Sequence, residues 1–341
     1  MSNLLDSALA GFFEDLSRDF EASVGAEAVR RRLVAADRTI DLTFADPALA
    51  AALLPALDAR MEDPDDVAAD ARLELWEPRE DGLPVPWRDG HLAAGGLLRG
   101  AREGTTIVVH ELGTGAITAV DRGAGRLLYR TGGTLPWWER AAPLRPAMFW
   151  ALGGTGRHLV HGGAVGDERG GVLLAGPGGS GKTTTALAAL DAGLHYVSDD
   201  YVLLAGSEAC NVYGTAKLDD GHMLRFPRLA GGAVRSADPE PGEKAVLDVG
   251  RQHAGQLAER LPIVAVVVPS ITGGATTLRP LSAARTLLAL APSTIFQMPF
   301  DDGASFATLS ALVRAVPCFA LDVGDDPAAL PEALDQVLDA A

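Results

Sequence analysis

Residues 176–183 read Gly-Pro-Gly-Gly-Ser-Gly-Lys-Thr, a full match to G-x-x-x-x-G-K-[ST]. This octapeptide constrains the fold more than any other stretch, because each position has a physical task. Gly176 and Gly181 admit backbone conformations closed to other residues, so loop N–H groups can turn inward on a polyphosphate. Gly179, Ser180 and Thr184 belong to the same binding loop. Lys182 reaches the phosphates, and the Thr183 hydroxyl can ligate Mg²⁺. The flanks agree. Residues 171–175 read as a short buried strand, and 184–192 as a helix whose N-terminus faces the anion. A chance glycine-rich turn would share the letters without this placement.

The chain has 341 residues, enough for two domains. With 48% apolar and 22% charged residues it reads as an ordinary globular protein. No apolar run approaches a membrane span, and the acidic N-terminus is unlike a signal peptide. Two cysteines, Cys210 and Cys318, make neither a disulfide framework nor a metal site. The expectation is a cytoplasmic protein with no membrane partner. A net charge of −16 argues against nucleic acid, which needs a basic face. Room is left for a homo-oligomer.

The basic residues are uneven. Of 29, only three are lysine: Lys182, Lys217 and Lys244. Abundant Ala, Gly and Arg suggest coding that replaces Lys by Arg wherever either serves. Surviving lysines should then concentrate where a compact ammonium is needed. Lys182 already has such a place, and the expectation extends it to Lys217 and Lys244.

Two domains are expected, a small α+β domain over residues 1–140 and a phosphate-loop domain over 141–341. In the first, 4–21 and 26–36 read as helices and 38–44 as a half-buried strand. A helix opens at Asp46-Pro47 and runs to about Met61. Residues 71–76, 106–112, 116–121 and 126–130 read as strands. Pro136-Trp137-Trp138 opens the linker, and 142–152 is an amphipathic helix. In the second, 157–165 and 171–175 flank a polar turn, which suggests an antiparallel hairpin feeding the loop. Strands follow at 195–198, 201–205, 263–268 and 318–323, and helices at 282–290, 304–315 and 327–340. Residues 231–242 read as a mobile loop.

Asp199 and Asp200 close a strand beside the phosphate loop. Phosphoryl transfer needs positioning, a metal, charge neutralisation and a group to receive the acceptor proton. Adjacent carboxylates in a strand point apart, so one suits Mg²⁺ and the other the hydroxyl proton. Without the loop they would read as an acidic turn.

Three segments, His161-Gly-Gly-Ala-Val165, Gly176–Thr183 and Val197-Ser-Asp-Asp200, occur in the order and spacing of the HPr kinase/phosphorylase catalytic domain. The chain from about residue 140 onward resembles the HPr kinase-related serine kinases, including those found with ribosomal-peptide biosynthesis. Tyr213–Lys217, Glu243-Lys244 and Ala291–Phe296 are more similar to these relatives than to HPr kinase proper. The resemblance implies an α/β phosphate-loop kinase fold of the HPr kinase/phosphoenolpyruvate carboxykinase type. It implies ATP and Mg²⁺ as cofactors, Asp200 as proton acceptor, and Lys182 and Thr183 on phosphate and metal. It also implies that His161 belongs to the site. With Asp200 so assigned, Asp199 is expected on the metal beside Thr183, and the lysine count adds Lys217 and Lys244 to the expected catalytic set. The acceptor it implies is a Ser or Thr hydroxyl of a peptide or small protein, with a small-molecule alcohol second. Two departures matter. Asn211 stands where the family places a metal-binding glutamate, and the segment tied to phosphorylase activity has only Val246–Arg251 as counterpart. Both argue against phosphorylase activity and against HPr as substrate.

Other nucleotide-binding classes fit less well. Ala216-Lys217-Leu218-Asp219 is a near miss to a guanine motif in the wrong context. The buried strand 263–268 ends in Pro269-Ser270, not in the Asp-Glu of transporter and motor ATPases. A non-catalytic nucleotide-dependent binding module remains the alternative from a different class.

Overall fold

The computed structural model describes residues 6–78, 91–92, 98–294, 300–301 and 303–341. The start of the first expected helix, at residues 4 and 5, and the last two residues of the segment 291–296, Ile295 and Phe296, lie outside these residues. Helix α1 (Asp6–Ser23) precedes strands β1 (Val29–Ala35) and β2 (Arg38–Phe44). Residues 26–36 were expected to be helical, and this expectation is overturned. Ala36 and Asp37 both take left-handed φ, 48° and 61°, which is the two-residue turn that joins twisted hairpin strands. β1 pairs with β2 from Val29↔Phe44 to Ala35↔Arg38. Three arginines hid the strand: buried Arg32 is neutralised by Asp41 and Asp65.

Helix α2 (Pro47–Leu53) is capped by Asp46, whose carboxylate accepts the Ala48 N–H at 2.7 Å. It stops well short of Met61, because Pro55 has no N–H for the next helical bond and the chain tightens into 3₁₀ turns. Strands β3 (Met61–Glu62), β4 (Ala71–Trp76), β5 (His91–Leu92), β6 (Leu98–Glu103), β7 (Thr106–Glu111), β8 (Ile117–Asp121) and β9 (Arg126–Arg130) complete a nine-stranded sheet among the described residues. Its order is β3-β1-β2-β4-β9-β8-β7-β6-β5. Strand alternation splits β7 between two faces. Val108 packs under α1, and Ile107 and Val109 join the cluster containing α2 and α3 (Arg145–Leu152). That second cluster continues to Tyr201, Leu203, Val212 and Tyr213, so the first sheet and the site segment share one core. Leu16 and Leu33 are fully buried, and truncating either to alanine costs about 2–5 kcal/mol.

The second sheet is built from β10 (Arg157–His161), β11 (Gly163–Asp167), β12 (Gly170–Leu174), β13 (His195–Ser198), β14 (Tyr201–Ala205) and β15 (Glu208–Cys210), with α4 (Lys182–Asp191) between β12 and β13. Next come β16 (Thr215–Leu218), α5 (Asp220–Arg225), α6 (Pro227–Ala230), β17 (Ala233–Val234), β18 (Ala245–Asp248) and α7 (Val249–Gln252). The chain closes with β19 (Arg260–Ile271), β20 (Thr277–Pro280), α8 (Ala283–Thr294), α9 (Ala304–Ala315), β21 (Cys318–Val323) and α10 (Ala329–Ala340). The sheet order is β10-β14-β15-β19-β12-β11-β13, with β21 beside β19 and β20 beside β21. β19 is parallel to both β12 and β21. Strands buried on both faces read as apolar runs, which is why Ile263–Val268 was legible. Helices α4 and α10 cover one face and α8 and α9 the other. The chain is thus a mixed α/β protein. Among the described residues no helix is long and apolar enough to cross a membrane.

The expected hairpin before the loop forms, with β11 and β12 antiparallel from Gly163↔Leu174 to Asp167↔Gly170. The strand expected over 157–165 breaks at Gly162. A Cβ there would lie 2.9 Å from the Leu174 carbonyl, and one on Gly163 2.9 Å from that of Ser198. The two glycines let β10 and β11 pass close to their neighbours, and His161 ends β10 directly opposite Tyr201. A further small sheet, β16-β18-β17, was not read from the sequence; β17 lies in the segment 231–242 expected to be loop.

Candidate functional site

The glycine-rich loop leaves β12 and enters α4 with Gly176, Gly179 and Gly181 at φ of 143°, 78° and 111°. No L-residue takes these angles without strain. Lys182 is 5% exposed and folds back onto its own loop, donating to the Gly176 carbonyl at 2.7 Å and the Pro177 carbonyl at 3.1 Å. Burial pulls its ammonium below the ordinary lysine value, against the opposing pull of Asp200 and Asp199.

The two carboxylates sit in the turn between β13 and β14. The Ser198 hydroxyl shapes that turn: it donates to the Tyr201 carbonyl at 2.7 Å and accepts the amides of Asp200 and Tyr201. Asp199 Oδ2 accepts the Thr183 hydroxyl at 2.9 Å, and its Oδ1 lies 3.0 Å from the Tyr196 hydroxyl. Burial, then the neighbouring Asp200 charge, push the Asp199 carboxyl up. Asp200 takes the opposite course. Burial would raise it, but Lys217 and His161 outweigh that and hold it far below the usual carboxylate range. Lys217 Nζ donates to Asp200 Oδ2 at 2.5 Å, and His161 Nε2 lies 3.2 Å from Oδ1. Burial opposes the Lys217 charge and Asp200 more than restores it. Two adjacent carboxyls pushed in opposite directions suit two different tasks.

These groups share one cavity of about 430 Å³, a size ordinary for a small-ligand site. It is lined by His161, Gly179, Gly181, Lys182, Thr183, Thr184, Asp199, Asp200, Lys217 and Lys244 among others. All three lysines of the chain therefore line one pocket. Two expected loop residues do not. Gly176 spends its carbonyl on Lys182, and the Ser180 hydroxyl is buried with no partner among the described residues. Gly178 takes their place in the wall. Asn211 also stays out of the lining. It is 1% exposed and donates to the carbonyls of Val197 at 2.7 Å and Tyr213 at 2.9 Å, tying β13 to the segment that leads into the Lys217 strand.

Lys244 stands next to Glu243, a carboxylate 2% exposed at the side chain. Glu243 accepts the Ser236 amide at 2.7 Å and hydroxyl at 2.5 Å, and meets Arg140 at 2.5 Å. This arrangement pins the segment to the chain entering α3. Lys244 Nζ lies 3.7 Å from Asp219 Oδ2. Asp219, His222 and Arg225 line the cavity and were not marked as site residues in the sequence. The only available signal was an Asp preceding a short helix, which reads as a cap.

No group of three or more His, Cys, Asp or Glu stands ready to hold a metal among the described residues. Mg²⁺ needs no such cage. It keeps several waters and takes one or two protein oxygens with substrate phosphates, and the adjoining Thr183 Oγ1 and Asp199 oxygens fit that demand.

No family model matches the chain, and no curated protein matches it. Among solved structures it is similar to the HPr(Ser) kinase/phosphatase from Coxiella burnetii, at 12% identity and a TM-score of 0.28, over 52% of this chain and 95% of that one.

Proposed function

We propose that the chain is an ATP- and Mg²⁺-dependent phosphotransferase that moves the γ-phosphoryl group to a Ser or Thr hydroxyl of a peptide or small protein. One observation carries the reading: a carboxylate paired with Lys217 and 3.2 Å from His161 opens into the same cavity as the glycine-rich loop that carries Lys182 and Thr183. Phosphoryl transfer passes through a loose transition state, so alignment and charge neutralisation matter more than a strong base. Asp200 orients the acceptor hydroxyl and receives its proton as the new P–O bond forms. Lys182 leaves the loop carbonyls for the phosphates, and Lys217 and Lys244 offset charge on the transferred group. The metal, held by Thr183 and Asp199, would neutralise charge on the phosphate oxygens.

The test is mass spectrometry of candidate acceptors, starting with products of neighbouring genes, after incubation with Mg·ATP. A gain of one phosphate on a Ser or Thr, lost with Asp200→Asn, supports the reading. ATP consumed only in a single slow turnover, with no acceptor modified, favours the binding-module alternative.

A further inference from the structure

His222 belongs to none of the motifs above, yet it joins three parts of the site. The residue is 8% exposed and lines the cavity. Its Nε2 lies 2.9 Å from Oγ1 of Thr184, on the first turn of α4. Its Nδ1 faces Asp219, with the amide N of that residue 3.3 Å away and Oδ1 3.1 Å away. Asp219 caps α5 by accepting the His222 amide at 3.0 Å. Its other oxygen is the partner of Lys244. The imidazole also stacks on Phe226, centroids 6.4 Å apart.

The Thr184 hydroxyl has one hydrogen to give, and it too lines the cavity. Phosphate oxygens accept hydrogen bonds. For Thr184 to bind phosphate, its hydrogen must go to the anion. Its oxygen is then left to accept, and the atom 2.9 Å away must carry a hydrogen of its own. In the opposite arrangement Thr184 donates to a bare Nε2 and turns its lone pairs on the anion. Burial holds the imidazole below its ordinary pKa, against the pull of Asp219. With hydrogen on Nε2 the neutral ring accepts the Asp219 amide at Nδ1, and the Asp219 Oδ1 3.1 Å from the same nitrogen is the contact that phosphate binding must outweigh to hold this tautomer.

The geometry points to His222 as a positioning residue for the nucleotide: its Nε2–H turns the Thr184 hydroxyl into a phosphate donor. The inference rests on the phosphotransferase reading and deepens it. It also explains why a histidine, not an aliphatic residue, fills this buried place.

Amide variants separate the two ends of the ring. His222→Gln places an N–H near the reach of Nε2, whereas His222→Asn keeps an acceptor near Nδ1 but falls short of Thr184. Calorimetric titration with Mg·ATP should find His222→Gln within about 3-fold of wild type and His222→Asn weaker by about 10-fold. In a Thr184→Ala background the asparagine change should cost nothing further. Wild-type affinity in His222→Asn overturns the inference, as does a glutamine variant as weak as the asparagine one, or an undiminished loss in the Thr184→Ala background. If His222→Asn fails to fold, the nitrogen-15 spectrum of the wild-type His222 ring with Mg·ATP bound decides. A protonated Nε2 is expected, and a bare Nε2 overturns the assignment. A wild type that binds no Mg·ATP removes the phosphotransferase reading instead, and the same titration reports it separately.

Discussion

Lys217 offers a perturbation in which charge and shape come apart. Its ammonium is 2.5 Å from Asp200 Oδ2, and both side chains are 18% exposed. Lys217→Met keeps much of the volume but leaves Asp200 with the His161 ring as its remaining side-chain partner from this pair of contacts. Removing one member of a buried pair costs about 3–5 kcal/mol. His161 at 3.2 Å and residual solvent contact reduce this to roughly 2–3 kcal/mol. At about 1.4 kcal/mol per unit, the Asp200 carboxyl should then rise by about two units from its depressed value. The sign of the pH dependence follows. A depressed folded-state pKa contributes stability that is present above the unfolded value, about 3.9, and is lost as pH falls toward the folded one. The unfolded Asp200 is common to both proteins, so the deficit of Lys217→Met should be full at pH 7 and stay full through the ordinary carboxylate range, shrinking only once pH falls below the variant's own, still depressed, folded-state value. Lys217→Arg retains charge, so its stability should stay within about 1 kcal/mol of wild type. Its turnover should still fall about tenfold, the worth of one hydrogen bond to a charged group, because a wide planar guanidinium does not replace a point-like ammonium. Urea melts and ATP turnover measure the two effects, with Arg18→Lys as control at a side chain 74% exposed. Arg60 would be a poor control: it is 16% exposed and pairs with Glu259 at 3.0 Å. Wild-type turnover in Lys217→Arg, together with unchanged stability in Lys217→Met, would refute the reasoning.

Asp200→Asn should preserve fold and Mg·ATP binding and reduce turnover by about 10²–10⁴-fold, and near-normal turnover in the purified variant excludes its role as proton acceptor. Asp199→Asn should instead raise the Mg²⁺ concentration needed for half-maximal rate; an unchanged requirement removes it from the metal site. Glu111, within the electrostatic reach of Glu139 and Arg145, is pushed up to about 7 by burial and then by Glu139. A raised carboxyl pKa means the folded state holds a proton the unfolded chain releases, so stability falls as pH climbs from 4.5 to about 7. Glu111→Gln removes that loss and should stabilise by about 2–3 kcal/mol at pH 8 and under about 1 kcal/mol at pH 5, by denaturant melts. Equal effects at the two pH values would contradict the buried-carboxyl argument.

What the sequence revealed divides along physical lines. The glycine-rich turn at 176–183, its strand and its helix were legible because local backbone demands are written in local residues. The lysine count pointed to one place because composition had removed lysine elsewhere, and Lys182, Lys217 and Lys244 do line one cavity. Strand β1 was misread because Val-Arg-Arg-Arg-Leu-Val-Ala carries no clean alternation; its evidence was the Ala36-Asp37 turn and the partner strand that begins at Arg38, directly after it. Strand β6 went unread because Leu-Arg-Gly-Ala-Arg-Glu lacks β-branched residues. His222 was missed for a different reason. Its contacts cross 38 residues to Thr184, and only the fold brings the two together. Asn211 was legible as a departure from a pattern, but its burial against Val197 and Tyr213 carbonyls was not.

The central claim is that this cavity takes a magnesium nucleotide through its phosphate loop. Thermal melting with and without Mg·ATP, on wild type and on Lys182→Ala, tests it most directly. At ligand about 100-fold above its dissociation constant the wild type should gain about 2.7 kcal/mol, and the Lys182→Ala protein little or none. A wild type whose melting temperature does not move with Mg·ATP, or a Lys182→Ala protein that gains as much, would contradict the account.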